Sequence, residues 1–139
     1  MTDELPKFEF AFPGPLRDQL VAAVLDGSKT TTTGLVADYE HEGDPLPTAG
    51  DRSVVVDSSD HPVAVIELTE VRIVPLGQVD LQHAIDEGEG DTTLTTWRQN
   101  HESFWHSPEM RAVLSDPTFT VDDTTLVVLQ RFQVIEHLG

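Results

Sequence analysis

The stretch SVVVDSSDHPVAVIELTEVRIV, residues 53–74, decides the fold class of this chain. Its two arms, 53–57 and 62–74, are rich in β-branched residues, which favour β-strands. The intervening SSDH, 58–61, is typical of a turn, so the stretch predicts a β-hairpin. The segment FTVDDTTLVVLQRFQVI, residues 119–135, is predicted to supply the final strand material, with a turn at its centre.

Helical patterns flank and interrupt this β-rich material. Apolar residues recur at helical spacing along 16–26, and Gly27 stands where a left-handed residue commonly ends a helix. Asp80 is predicted to cap a short helix, residues 93–105 to form a longer one, and Ser107 to start a third. Strands on both sides of a helical insertion predict an α+β fold with a largely antiparallel sheet or small barrel.

The composition predicts one globular domain over residues 1–139. The length suits a single hydrophobic core, and 38% hydrophobic with 24% charged residues is typical of a folded chain. The segment 38–50 combines acidic residues with glycine and proline, so we expect an exposed loop of this domain rather than a linker.

The net charge restricts the classes of partner. With 25 acidic and 8 basic residues the formal charge is -17, which opposes binding that depends on neutralising phosphates. The charge therefore disfavours extended nucleic acid as a partner, but it does not exclude one base or nucleoside in a local pocket, because salt screens distant surface charges. The absence of cysteine excludes disulfides and thiolate metal sites, and no export signal or membrane-spanning run is visible. We expect a cytoplasmic protein without a membrane partner, as a monomer or homodimer.

The segment GSKTTTT, residues 27–33, carries the strongest functional pattern. Lys29 stands in a glycine-bounded, threonine-rich turn, where a cationic group beside hydroxyls can polarise a carbonyl or activate an alcohol. The alternative is a surface lysine on a threonine-rich strand. Joint action of Lys29 and Thr32, three positions apart, requires a turn, because a flat strand points them to opposite faces.

Acidic and aromatic residues form two further candidate groups. HAIDEGEGD, residues 83–91, offers several carboxylates as acid, base or lysine partner, or is a solvated acidic loop. In HESFWH, residues 101–106, the histidines are five apart and point to divergent helix faces, so we expect no metal site. Trp97 is either a core residue or, beside Arg98, a platform for a planar base.

Taken in order, these segments resemble the ASCH domain family. The resemblance extends from about Phe12 to Glu136. It rests on GSKTTTT, Gly50–Asp51, the β-rich stretch, HAIDEGEGD, TWRQNHESFW and the final FQVIE. Members of this family have a PUA-like fold, so the resemblance implies a mostly antiparallel β-barrel with flanking helices.

The resemblance also implies an activity. Some small bacterial ASCH proteins are metal-independent amidohydrolases that remove acyl groups from N4-acylcytidines with a lysine, a threonine three residues later and a distant glutamate. These match Lys29, Thr32 and Glu87, although the run of four threonines leaves the register open by one or two positions. Thr32 would attack the acyl carbon, without any cofactor. Lys29 would assist proton transfer while Glu87 positions it or activates water; alternatively, a charged Lys29 would stabilise the oxyanion while Glu87 acts as the base.

Neighbouring residues would shape the nucleoside-like substrate. We expect this role for Trp97, Arg98 and His101, with Glu89 and Asp91 as reserve carboxylates in the same substrate-binding group. The EGEGD and WRxxH segments depart from the amidohydrolase pattern, which leaves the substrate open. Two alternatives remain: an RNA-binding or RNA-cleaving module, since other relatives are regarded as RNA binders, and a nucleoside-ligand binding domain without catalysis.

Overall fold

The computed structural model describes residues 5–138. In chain order its elements are β1 (Lys7–Phe8), α1 (Pro15–Asp26), β2 (Thr31–Leu35), α2 (Val36–Glu42), β3 (Arg52–Val56), β4 (Pro62–Pro75), a 3-10 turn (Leu76–Gln78), α3 (Leu81–Asp86), α4 (Leu94–Trp105), α5 (Pro108–Val113) and β5 (Leu126–His137). The longest helices, α1 and α4, have 12 residues each. No helix in this part of the chain has the length and apolar character needed to cross a bilayer.

The strands form one five-stranded sheet in the order β1-β3-β4-β5-β2. The β3–β4 hairpin is the one predicted from the sequence, and β4 pairs antiparallel with β5 from Pro75↔Leu126 to Ala64↔His137. Only the two-residue β1 runs parallel to its neighbour among the described strands. The α+β class is therefore confirmed, whereas the predicted barrel is wrong. β1 and β2 lie at opposite edges and each pairs on one side, so the described sheet stays open.

Two segments differ from their predicted structure. The predicted loop 38–50 begins inside α2, which Gly43 ends in a left-handed conformation at φ 72. The composition of the segment does not predict this helix, because the contact that stabilises it is tertiary: Ala37 packs against the core. The final segment forms one strand rather than two. The predicted turn lies before β5. It is stabilised by the Asp122 carboxylate, which accepts hydrogen bonds from the amide and hydroxyl of Thr124.

The helix starts agree with the predicted caps. The Asp80 carboxylate accepts the amide hydrogen of His83 at the start of α3, and the Ser107 hydroxyl does the same for Met110 in α5. Gly27 ends α1 at φ 87. Gly27 thus directs the chain from α1 into β2.

Two buried clusters hold the helices on the sheet. One packs α1 against β3, β4 and β5 and includes Val24, Ile66 and Phe132. The other packs α3, α4 and α5 against β2 and β5 and includes Trp97 and Leu129. Burying each such side chain contributes about 1.5–3 kcal/mol. The turn between α1 and β2 meets the end of α3, so α1 of the first cluster and α3 of the second approach each other there. The site forms at this point.

Candidate functional site

Lys29 is buried where α1 gives way to β2. Its backbone amide still bonds to Ala23 of α1 at 3.0 Å, and its side chain is only 1% exposed. The Nζ atom donates to the carbonyl oxygen of Thr31 at 2.8 Å, and to the carbonyl and Oε1 of Glu87 at 3.3 and 3.4 Å. The alternative of a surface lysine is therefore wrong. Buried lysines are rare unless they are paired, and this one has three acceptors.

Gly88 allows the end of α3 to approach the lysine turn. A Cβ atom at this position would lie 2.3 Å from the carbonyl oxygen of Ser28, and the backbone has a positive φ of 69°. The close approach is fixed by the Thr30 amide, which donates to the carbonyl of Asp86 at 2.8 Å. A side chain at Gly88 would push the two segments apart. The glycine thus brings Glu87, its neighbour, against the buried ammonium.

Glu87 accepts hydrogen bonds on both oxygens, and its side chain is 2% exposed. Oε1 faces Lys29 and the Nε2 of His101 at 3.2 Å, while Oε2 accepts from Thr33 Oγ1 and Trp97 Nε1, both at 2.7 Å. Burial alone would raise the pKa of this carboxyl. The hydrogen bond from His101 and the charge of Lys29 outweigh burial and hold the pKa well below its ordinary value. Glu87 is therefore an ionised, fully partnered carboxylate.

The two histidines beside this carboxylate have opposite charge preferences. His101 places its ring nitrogens against two acceptors, the Trp97 carbonyl at 2.9 Å and Glu87. Burial opposes its charge, but the hydrogen bond to Glu87 prevails and raises the pKa of His101. For His83, burial dominates and lowers the pKa, which favours the neutral ring. Its Nε2 lies 2.8 Å from the hydroxyl of Thr33.

Glu89 is the second carboxylate near the lysine. Its Oε2 lies 3.7 Å from Lys29 Nζ, and its side chain is 23% exposed. Burial raises the pKa of Glu89, the charge of Lys29 opposes this, and the neighbouring Glu87 adds to the rise. Glu87, Glu89 and His101 offer atoms within 4.8 Å of one another, a spacing that a metal ion could use. The Lys29 ammonium already lies against both carboxylates and would repel a second cation, so we assign no metal here.

A cavity of about 700 Å³ opens on these groups. Its polar lining on the lysine side comprises Lys29, Thr32, Thr33, Glu87, Glu89, Asn100 and His101. Further polar lining residues are Glu9, Arg17, Gln19, Asp38 and Gln130, and the aromatic lining comprises Phe8, Phe10, Phe12, Tyr39, Phe104 and Trp105. The ring centroid of Phe10 lies 5.7 Å from Lys29 Nζ, within cation–π range. Apolar walls with a few converging polar groups are characteristic of small-molecule sites.

The threonines of β2 divide between two directions. Thr31 and Thr33 hydrogen-bond towards α3, through the carbonyl of His83 and through Glu87 respectively. Thr32 lies between them and lines the cavity, and its hydroxyl makes no hydrogen bond to another residue between 5 and 138. Lys29 and Thr32 thus border one cavity. The threonine that touches Glu87 is Thr33, which lies within the register shift that the threonine run left open.

Some of the remaining predicted site residues line the cavity and others do not. His101 and Glu89 line the cavity, whereas Trp97, Arg98 and Asp91 are not among its lining residues. Trp97 is buried in the core, and it contacts the site through its bond to Glu87 and through its ring, which stacks on His101 with centroids 4.3 Å apart. The Arg98 guanidinium binds Glu102 and Asp123 instead. The Asp91 carboxylate accepts from the side-chain amide of Asn100, a lining residue that the sequence patterns did not single out.

A comparison with protein families decides the relationship. The model of the ASCH domain matches residues 9–136. The chain belongs to the ASCH domain family. No curated protein matches this ASCH domain.

Solved structures agree with the family. Protein EF3133 from Enterococcus faecalis V583 is similar with a TM-score of 0.82 and 28% identity, covering 95% of this chain and 77% of that one. An ASCH domain from Lactobacillus crispatus JV V101 gives 0.81 and 26%, covering 95% and 80%. A mutant of the ASCH protein from Zymomonas mobilis gives 0.52 at 11% identity over 96% and 73%, a likeness of fold alone. The resemblance inferred from the sequence is thus confirmed at the level of the family.

Proposed function

We propose that this ASCH domain is an amidohydrolase that removes the acyl group from N4-acylated cytosine nucleosides such as N4-acetylcytidine. The observation that carries the proposal is the buried pair of Lys29 and Glu87 at the wall of an aromatic-lined cavity. A preorganised cation polarises a carbonyl more strongly in such a cavity than in water. Aromatic side chains such as Phe10 and Phe104 suit the planar base.

In this proposal Lys29 stabilises the oxyanion through its positive charge, because its three N–H donors already have acceptors. Its Nζ faces carbonyl and carboxylate oxygens, which are the partners of an ammonium ion. Glu87 fixes the direction of that ammonium. It does not act as the base, because its oxygens already accept from Lys29, His101, Thr33 and Trp97 and its pKa is lowered. A group that holds its proton so weakly is a poor acceptor at neutral pH.

Thr32 is the nucleophile that we propose. Its hydroxyl borders the cavity and is not tied to another described residue, whereas the hydroxyl of Thr33 is held by Glu87 and His83. The Thr32 oxygen bonds to the acyl carbon, the bond from that carbon to N4 breaks, and the cytosine amine leaves with a proton. Water then hydrolyses the acyl ester and releases the carboxylic acid and the free threonine.

The test is release of cytidine from N4-acetylcytidine by the purified protein, followed by chromatography. Wild type should turn over, and Thr32→Val, which preserves side-chain shape, should lose at least about 100-fold in kcat. Lys29→Ala should be inactive, and Lys7→Ala, at the exposed lysine, is the matched control. Activity retained by Thr32→Val but lost in Thr33→Val would move the nucleophile to Thr33.

A folded wild-type protein without turnover on several N4-acylated cytidines would contradict the proposal. Two further measurements then separate the alternatives. Thermal stabilisation by cytidine without turnover would support a ligand-binding domain. RNA binding at low salt with a steep salt dependence would support an RNA-binding module despite the charge of -17.

A further inference from the structure

We propose that Glu89, two positions beyond the buried glutamate, carries the proton during the reaction; this inference rests on the proposed function. A proton carrier must reach the reacting atoms and must have a free oxygen. An ionised carboxylate has about four lone-pair sites. In Glu87 these meet the four donors already described, at 2.7 to 3.4 Å. Glu87 therefore has no free site for the proton of a nucleophile.

Glu89 borders the same cavity as Thr32 and has free acceptor sites. It lines the cavity, and its Oε2 touches Lys29 Nζ at 3.7 Å without the set of donors that surrounds Glu87. The charged or titratable groups that act on it are Lys29 from the turn before β2, Glu87 from the end of α3 and His101 from α4. Burial raises its pKa, Lys29 opposes this and Glu87 adds to the rise, and a raised pKa favours a carboxyl that both accepts and returns a proton.

The backbone around Glu89 supports this placement. Gly88 and Gly90, on its two sides, have positive φ angles of 69° and 88°. Such left-handed residues reverse the chain direction at the end of α3. The chain turns there, and the Glu89 side chain points back to Lys29. A solvated acidic loop, the alternative for this segment, would not bury its carboxylate beside a lysine.

The proton steps balance through one full cycle. Ionised Glu89 accepts the hydroxyl proton of Thr32 as the threonine oxygen bonds to the acyl carbon. Glu89 then gives this proton to N4 as the carbon–nitrogen bond breaks, so the amine leaves neutral. In the second half, Glu89 takes a proton from the attacking water and returns it to the Thr32 oxygen. The sum is amide plus water giving amine plus carboxylic acid, while Lys29 keeps its protons throughout.

The experiment compares kcat and KM as functions of pH in wild type, Glu89→Gln and the control Glu70→Gln. Glu70 is an exposed carboxylate whose one ion pair within residues 5–138 is with Arg72, at 3.5 Å. A base must be ionised, so the wild-type rate should rise with pH through the pKa of Glu89. Glu89→Gln should lower kcat by about 100-fold or more, change KM little and remove this acidic limb. Glu89→Ala should be rescued by formate, which can enter the cavity and accept the proton.

The outcomes distinguish the two proposals. A Glu89→Gln variant with kcat within about threefold of wild type and the same acidic limb would overturn the role of Glu89 and leave the amidohydrolase intact. Loss of activity without formate rescue, together with a lowered unfolding midpoint, would assign Glu89 to structure and also overturn the inference. Absence of turnover in the wild type would overturn the proposed function itself.

Discussion

Replacing Lys29 by methionine measures what the buried ion pair contributes to stability. Methionine keeps the aliphatic stem but removes the ammonium, so Glu87 remains 98% buried with three of its four donors. Breaking a buried ion pair by removing one partner costs about 3–5 kcal/mol. Since three donors remain, we expect about 3 kcal/mol, which corresponds to a fall of about 10 °C in Tm for a chain of this length.

Lys7 provides the matched control. Its Nζ bonds both oxygens of Asp60, at 2.9 and 2.7 Å, which is a closer contact than the one between Lys29 and Glu87. The two side chains are 56% and 60% exposed, however. Exposed pairs of this kind contribute at most about 1 kcal/mol. Lys7→Met should therefore change the free energy of unfolding by less than about 1 kcal/mol, so the two variants differ in burial rather than in chemistry.

The assay is urea unfolding of the three proteins at several pH values. The pKa of Glu87 is lowered on folding, so its contribution to stability is present above its ordinary value of 4.5 and is lost as the pH falls through the folded value. Without Lys29 the pKa is lowered less, and the variant loses less stability on acidification. The difference in free energy of unfolding between wild type and Lys29→Met should therefore narrow below about pH 4.5. A gap no larger than that of Lys7→Met, or one that widens at low pH, would refute the reasoning.

Three further predictions concern the groups around this pair. Gly88→Ala should lower the free energy of unfolding by more than about 3 kcal/mol, because its Cβ would lie 2.3 Å from a backbone oxygen. Gly90→Ala has open space around its Cβ and should lower the free energy of unfolding by about 1 kcal/mol. Urea unfolding measures both. Equal effects of the two substitutions would contradict the close approach of Gly88 to Ser28. Trp97→Phe removes the 2.7 Å bond to the buried carboxylate and should cost about 1–3 kcal/mol, visible as a lower urea midpoint; an unchanged midpoint would argue against that bond. The pKa of His101 is raised on folding, so its stabilisation is present below 6.5 and lost as the pH rises through the folded value. The stability difference between wild type and His101→Gln should therefore shrink with rising pH, and a constant difference would exclude a charged ring.

The sequence predicted elements whose signals are local. The hairpin, the capped starts of α3 and α5 and the glycine that ends α1 follow from neighbouring residues, and all appear in the structure. The prediction of a barrel was wrong because closure depends on the pairing of strands that are far apart in the chain, and no local signal indicates that pairing. The helix α2 was missed for the same reason, since Ala37 finds its partners in distant core residues.

Within the site, the limit of prediction was the direction of individual side chains. On α4, Trp97 and His101 are four apart and meet the same carboxylate, but Arg98 is turned about 100° from Trp97 and points to other partners. In the threonine run, the identity of the residue that meets Glu87 depends on where β2 begins. Because a strand alternates its faces, a shift of one residue exchanges Thr32 and Thr33.

The charge arrangement bears on the substrate that we propose. Lys29 and a charged His101 balance the carboxylates of Glu87 and an ionised Glu89, so the group has almost no net charge although the chain carries -17. The acidic surface repels phosphates over distances comparable with the Debye length, about 8 Å at physiological salt. In the proposed reaction, a neutral acylated nucleoside is not repelled, and the lysine stabilises it only when negative charge develops on its carbonyl oxygen. The acidic composition is therefore compatible with the proposed reaction: the surface disfavours polyanions, and the charge of the buried Lys29 acts on the transition state of a neutral substrate.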